Sequence, residues 1–141
     1  MSHPMNPKPI GKAEISKSLK EIETKFGGIV YNFGSNRKNR GSYVGKSDME
    51  IIYQSILAMV EIKVGKDSLS EKQIEYGMKF YCTLIDRAYY LIATEHTYPQ
   101  IKCAILMKDR KTLHRLSQES YNLLCEEEIK FKQRKLKSLS K

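Results

Sequence analysis

The sequence has few of the residues that cross-link or interrupt a fold: its 141 residues include no tryptophan, three cysteines and four prolines. The cysteines are odd in number and far apart, without Cys-x-x-Cys or Cys/His spacing. This argues against a disulfide framework or a zinc site and favours free thiols in a reducing cytoplasm. No apolar run approaches the roughly 20 residues of a membrane span. The opening stretch, MSHPMNPKPIGK, lacks the apolar core of a signal peptide. We therefore expect a protein that is not secreted, with a flexible lead-in over residues 1–12.

Positive charge is in clear excess, with 25 Lys and Arg against 16 Asp and Glu and a net charge of +9. This balance favours an anionic partner such as nucleic acid, although a ribosome-associated or membrane-surface protein would have the same composition. The 40% apolar fraction is that of a folded chain, and the length suits one domain with a substantial core.

Hydrophobic periodicity predicts three helices. The first carries the stripe Ile15, Leu19, Ile22 and Phe26 and ends at Gly27-Gly28. The second begins after Ser70, with Gln73 at the third position of a capping box. The third begins at about Lys111 and ends in the basic run KFKQRKLKSLSK.

Strands are predicted between these helices, over residues 29–33, 48–53, 58–64 and 88–94, with a turn at 54–57 between the middle two. In residues 98–108 the alternation of Ile101, Cys103, Ile105 and Met107 favours a strand, and a helix after Pro99 is the alternative. The order of elements predicts an α/β or α+β domain with helices flanking one sheet. We assign its core to residues 13–110 and a basic C-terminal helix to 111–141.

The hairpin of residues 48–64 carries charge inside two apolar strands. Side chains alternate faces along a strand, so Met49 and Ile51 share one face with Val60 once the apolar residues are paired. Asp48 then lies on the same side as Glu61 and Lys63, opposite one of them in the ladder.

Two carboxylates held together repel each other, and a divalent cation resolves the conflict. Mg²⁺ takes one or two carboxylates and keeps waters for a substrate phosphate, and a nearby lysine stabilises developing negative charge. The alternative is a solvent-facing hairpin in which Lys63 pairs with Asp48 or Glu61.

In sequence order, Gly45-Lys46-Ser47-Asp48, Glu61-Ile62-Lys63 and Leu69-Ser70-Glu71-Lys72-Gln73 resemble the motifs of the PD-(D/E)xK nuclease superfamily, and most of all its VRR-NUC branch. The resemblance covers about residues 13–94. Its departures are Ser47, where the superfamily name has proline, and YNFGSN, where an arginine-bearing strand is usual.

The resemblance implies a restriction-endonuclease-like three-layer core with a central mixed sheet. It also implies Mg²⁺- or Mn²⁺-dependent hydrolysis of DNA by a homodimer that cuts branched DNA such as Holliday junctions, in the cytoplasm of a bacterial or phage-infected cell. Position by position, Asp48, Glu61 and the Ile62 carbonyl would hold the metal, and Lys63 would be the catalytic lysine. The remaining site residues would be Glu14, as a further ligand or water-orienting acid, and Gln73, as a positioning group.

Two of these residues have simpler interpretations, and a loop adds further candidates. Glu14 is also a first-turn acid that the helix dipole favours, with Glu21 as its rival, and Gln73 is also a capping residue. The loop of residues 34–46 precedes the Asp48 strand and suits phosphate binding and base stacking. Its candidates for DNA contact are Arg37, Lys38, Arg40, Lys46 and Tyr43.

The alternative function is a nucleic-acid-binding protein that keeps the nuclease fold but does not cleave.

Overall fold

The computed structural model describes residues 10–33, 47–83 and 88–140, which form an α/β fold. An open four-stranded sheet has the order β1-β2-β3-β4, with β1 to β3 antiparallel and β4 parallel to β3. The α/β class, the mixed sheet and the helix-strand-strand-strand-helix-strand order are as predicted from the sequence. The elements are α1 Lys12–Thr24, β1 Ile29–Asn32, β2 Met49–Tyr53, β3 Ile56–Ile62, α2 Glu71–Thr83, β4 Ala88–Ala93, α3 Tyr98–Leu106 and α4 Arg110–Leu139.

Helix α1 ends where its glycines predict. Gly27 has a φ of 80°, in the left-handed region, and the Gly28 amide donates to the Ile22 carbonyl at 2.9 Å. This pattern closes a helix C-terminus and turns the chain into β1. Phe26, the last member of the predicted stripe, lies beyond the helix and is 50% exposed.

The hairpin pairs its apolar faces as predicted, and a tighter turn fixes the register that the sequence left open. Met49 pairs with Val60 and Ile51 with Ala58, so the apolar residues share a face as side-chain parity predicts. The predicted turn at 54–57 is wrong, because Ile56 pairs with Tyr53 and β3 begins there. Only Gln54 and Ser55 remain in the turn, and Gln54 has a φ of 51°.

Residues 98–106 form helix α3, so the strand favoured for this segment is wrong. Pro99 lies in the first helical turn, where its missing amide is tolerated. Ile101 and Ile105 are buried one turn apart, whereas Cys103 is exposed. The alternation read as a strand therefore combined two residues of the buried helix face, Ile101 and Ile105, with exposed Cys103 and Met107.

The sheet is covered on both sides. On one side, α1 and α3 pack on residues such as Ile51, Val60 and Leu91; on the other, α2 and the middle of α4 pack on Met59 and Ile92. We call these the α1/α3 face and the α2/α4 face. The charged residues of the hairpin lie on the α2/α4 face and are therefore beneath helices, not on an open surface.

Side chains cap both edges of the sheet. Along β1, Glu23 accepts from the Val30 amide at 3.1 Å and Lys20 donates to the Val30 carbonyl at 3.1 Å. Along β4, the Ser120 hydroxyl of α4 accepts from the Ile92 amide at 2.8 Å. The backbone groups of Val30 and Ile92 are therefore not open to pairing with another chain. Helix α4, which begins one residue before its predicted start, is thus attached to the sheet through β4.

Candidate functional site

Asp48 and Glu61 come together at one end of the hairpin. Asp48 directly precedes β2, and the β2–β3 register, continued one step beyond the Met49–Val60 pair, sets it opposite Glu61. Glu61 is 1% exposed and Asp48 is half-buried. The register also fixes their face, since Glu61 lies two residues after Met59 on the α2/α4 side. The two acids predicted to share a ligand are therefore neighbours.

Two hydrogen bonds orient these carboxyl groups. The Ile62 amide donates to Asp48 Oδ2 at 2.9 Å, and Gln73 Nε2 donates to Glu61 Oε1 at 2.9 Å. The Asp48 carbonyl in turn accepts from the Phe33 amide at 2.7 Å, which holds the backbone of this residue. The Ile62 amide thus holds Asp48, and a metal-binding role for the Ile62 carbonyl, which the resemblance implied, stays a prediction.

Gln73 has both roles considered for it from the sequence. Its side-chain Oε1 accepts from the backbone amide of Ser70 at 2.8 Å, while the backbone amide of Gln73 donates to Ser70 Oγ at 3.2 Å. This reciprocal capping box begins α2. Because capping uses the amide oxygen, the Nε2 group is directed at Glu61. The start of the helix therefore orients a donor in the site.

The electrostatics of the pair are unfavourable for two free carboxylates. Burial raises the pKa of Glu61 to about 9, with further increases from the negative charge of Asp48 and a hydrogen bond to it. The positive charge of Lys12, at the start of α1, opposes this rise. Without a cation, the raised pKa therefore favours the protonated form of Glu61 at neutral pH.

The donor set fits a hard divalent cation that keeps part of its hydration. The amide donors bind one oxygen of each carboxyl group, Asp48 Oδ2 and Glu61 Oε1, and the two groups together would hold the cation. Within residues 10–33, 47–83 and 88–140, no group of three or more His, Cys, Asp or Glu side chains could hold a metal ion. A pair of carboxylates suits Mg²⁺ or Mn²⁺, whose other ligands would be water and substrate phosphate.

Lys63 is on the predicted face, but its partner is unexpected. Its Nζ lies 3.6 Å from Glu127 Oε1 of α4, and the two side chains are only 15% and 5% exposed. Neither Asp48 nor Glu61, the partners considered from the sequence, forms this ion pair. The Lys63 amide donates to the Ala93 carbonyl at 2.9 Å, which ties the residue to β4.

The structure does not bring Glu14 onto the carboxylate pair. Glu14 is exposed and accepts from the Gly11 amide at 3.0 Å, which is the helix-start role named as its alternative. Its rival Glu21 binds Lys25 at 2.8 Å and Lys102 of α3, on the other side of the sheet. The hydrogen bond from Lys102, followed by that from Lys25, lowers the pKa of Glu21 to about 2.

The predicted DNA-contact residues fall outside the described part of the chain. Arg37, Lys38, Arg40, Tyr43 and Lys46 all belong to residues 34–46, for which the structure gives no description.

Sequence reasoning missed two residues near the site. Glu127 is one of three consecutive acids, but only it falls in phase with the buried residues Leu124 and Ser120 of α4. An acid in phase with a buried helix face was the available signal. The other is Tyr90 of β4, whose hydroxyl is buried and has no hydrogen-bond partner among the described residues. Burial, then the charges of Glu61 and Asp48, raise its pKa.

The chain was compared with protein-family models, with curated proteins and with solved structures, and none of the three comparisons gave a match. None of the helices in the described ranges combines the length and apolar character needed to cross a bilayer.

Proposed function

We propose that this protein is a divalent-metal-dependent endonuclease that hydrolyses DNA phosphodiester bonds. Its fold would be the restriction-endonuclease-like core of the PD-(D/E)xK superfamily, in the VRR-NUC branch. Cleavage would be selective for branched DNA such as Holliday junctions and carried out by a homodimer.

One observation carries this proposal: the hairpin register sets Asp48 opposite a buried Glu61, beneath α2. Burying a second carboxyl group against the first costs free energy unless a proton or a cation is bound between them. An apolar residue at position 61 would fill the same space without this cost. The pair is therefore best explained as a ligand set.

The side chains around the pair divide the work of the site. Asp48 and Glu61 would hold Mg²⁺ or Mn²⁺, which supplies charge stabilisation at the scissile phosphate and activation of a water. Gln73 and the Ile62 amide keep the two carboxylates in position. Lys63, on the same face, provides a cation for the negative charge that develops during hydrolysis.

The charge of the molecule supports DNA as the substrate. The net charge is +9, and the end of α4 carries an exposed cluster that includes Lys130, Lys132, Arg134, Lys135 and Lys137. Such a surface binds phosphates with an affinity that decreases steeply with salt. The preference for branched DNA and the homodimer come from the family resemblance.

The test is a cleavage assay with the purified protein on four-way junction, flap, nicked and linear duplex DNA. Each substrate is incubated with Mg²⁺, Mn²⁺ or EDTA, beside a Lys63→Ala variant. We expect metal-dependent cleavage, fastest on the junction, that Lys63→Ala reduces to a small residual rate. Sedimentation of the protein alone and with junction DNA tests for the dimer.

Two results would contradict the proposal in different ways. Salt-sensitive DNA binding without metal-dependent cleavage of any substrate would identify a binding protein that keeps the fold but does not turn over. Cleavage by Lys63→Ala at the wild-type rate would remove this lysine from the site or reveal a contaminating nuclease, which further purification would separate.

A further inference from the structure

The ion pair between Lys63 and Glu127 joins the C-terminal helix to the candidate site. Residues 126–128 are all glutamates, yet Glu127 alone of the three is buried, at 4% exposure. Glu126 is exposed, and Glu128 binds Lys132 one turn further along at 3.6 Å. The inward position is thus specific to one acid in a run of three.

Both oxygens of Glu127 are used. Oε1 lies 3.6 Å from Lys63 Nζ, and Oε2 accepts from the Leu69 amide at 3.4 Å. A buried carboxylate requires such partners, because desolvation of an unpaired charge costs more than the packing of its side chain returns. The single carboxylate therefore connects the lysine after β3 with the segment that begins α2 and carries Gln73.

Helix α4, which carries Glu127, is firmly attached to the sheet in the two turns before this residue. Leu124, one turn before it, is fully buried against the α2/α4 face, and Ser120 bonds to the Ile92 amide of β4. Lysine has a flexible four-carbon stem, and an ammonium can occupy many positions unless a fixed partner holds it. Glu127 is such a partner, presented by a helix that rests on the same sheet as Lys63.

We propose that Glu127 is a positioning residue for Lys63, so that α4 forms part of the site and is more than a basic extension. This proposal rests on the proposed nuclease function. Glu127 acts by holding the ammonium at a defined place on the α2/α4 face, and it touches neither metal nor phosphate itself.

The test is a double-mutant cycle in single-turnover cleavage of junction DNA with Mg²⁺. Glu127→Gln keeps the shape of the side chain and an acceptor for the Leu69 amide but removes the negative charge. Glu126→Gln, which changes the preceding glutamate, is the matched control. We expect Glu127→Gln to slow cleavage by about 10- to 100-fold, the scale for partners that orient a reactive group. Glu126→Gln should cleave at the wild-type rate, and DNA affinity in EDTA should be unchanged in both.

The decisive comparison is the same substitution in a Lys63→Ala background. If Glu127 acts through Lys63, Glu127→Gln has no further effect on the residual rate there, whereas general damage to the fold lowers the rate equally in both backgrounds. Equal loss in both backgrounds, or wild-type cleavage by Glu127→Gln, would overturn the proposal.

Thermal unfolding distinguishes failure of this inference from failure of the proposed function. Glu127→Gln leaves Lys63 buried without its partner and should lower the melting temperature, and adding Lys63→Met should restore part of that loss. Additive effects of the two substitutions would overturn the positioning role whatever the activity. If the two substitutions have coupled effects on the melting temperature but the protein cleaves no DNA, the ion pair is supported and the nuclease function is rejected.

Discussion

The two faces of the sheet shift the pKa of a carboxyl group in opposite directions. On the α1/α3 side, Glu21 meets Lys102 and Lys25, and these hydrogen bonds lower its pKa to about 2. On the α2/α4 side, burial and the neighbouring Asp48 raise the pKa of Glu61 to about 9. The first acid is stabilised by its surroundings in its charged form, and the second is stabilised only when a proton or cation joins it.

This difference separates the part of the molecule that maintains the fold from the part suited to chemistry. The sheet residues of the α1/α3 face are apolar, as Ile51 and Val60 illustrate, and their packing stabilises the fold. The α2/α4 face combines an apolar cluster with Glu61, Lys63 and Glu127 at one end. Perturbed pKa values are characteristic of functional sites, and here the strongly raised acid lies where two carboxylates meet.

The largest effect that we expect is on cleavage. Asp48→Asn and Glu61→Gln should each reduce the rate by about 100- to 1,000-fold, because each removes a ligand of the metal ion that would stabilise charge on the reacting phosphate. Glu21→Gln, which changes an acid on the other side of the sheet, should cleave at the wild-type rate. Single-turnover assays on one junction substrate compare all three. A similar loss in Glu21→Gln would erase the proposed division between the faces.

The next effect concerns stability and lies on the α1/α3 side. Ile51 is fully buried, and Ile51→Ala should lower the free energy of unfolding by about 2–5 kcal/mol through lost burial and the cavity it leaves. Glu50→Ala, at the preceding residue on the opposite side of the strand, should change it by less than about 1 kcal/mol. Urea denaturation measures both, and comparable losses would contradict the assignment of the core to the apolar face.

Metal ions should stabilise the folded protein through Glu61, with a pH dependence of fixed sign. Since the folded pKa of about 9 exceeds the ordinary value of 4.5, metal-free protein should lose stability as pH rises between these values. Mg²⁺ at one hundred times its Kd should raise the free energy of unfolding by about 2.7 kcal/mol. Melting temperatures from pH 5 to 9, in EDTA and in Mg²⁺, measure this.

Glu61→Gln is the control for that series. Its melting temperature should depend less on pH in this range and respond less to Mg²⁺, because the titrating ligand is absent. A wild-type protein whose stability in EDTA increases from pH 5 to 9 would show that Glu61 is not held in its protonated form.

A smaller effect is expected at the edge of the sheet. Ser120→Ala removes the acceptor of the Ile92 amide, and an unsatisfied buried amide costs about 1–3 kcal/mol. Ser117→Ala, one turn earlier and also buried, is the matched control and should cost less. Amide hydrogen exchange at Ile92 gives a local measurement, and unchanged protection in Ser120→Ala would contradict the edge contact.

The smallest effect is that of Glu21, whose side chain is 30% exposed. Glu21→Gln should lower the melting temperature slightly at neutral pH, since ion pairs that remain open to solvent contribute little. Because the pKa of Glu21 is lowered from 4.5 to about 2, its contribution should be lost as pH decreases through that interval. The difference between wild type and variant should therefore shrink between pH 5 and pH 2.5, in contrast to Glu61. A constant difference would show that packing, not charge, is responsible.

Local patterns in the sequence predicted much of the fold and the pair at its centre. Strand alternation brought Asp48 and Glu61 to one face, because side-chain parity depends only on position along the strand. The capping box correctly began α2 and placed Gln73. Alternation failed over residues 98–106, because Ile101 and Ile105 satisfy the spacing of a strand and of a helix alike. Only packing against α1 and β4 distinguishes these two cases.

By itself, the sequence determined the order of elements as far as β4, the apolar face of the hairpin and the shared face of Asp48, Glu61 and Lys63, since all of these follow from local periodicity. The tertiary structure alone decided that Glu61 is buried and that Lys63 pairs with Glu127. Both outcomes depend on where α2 and α4 rest on the sheet. Contacts between segments far apart in the chain leave no periodic pattern in either segment, because they arise from the packing of elements that are already formed.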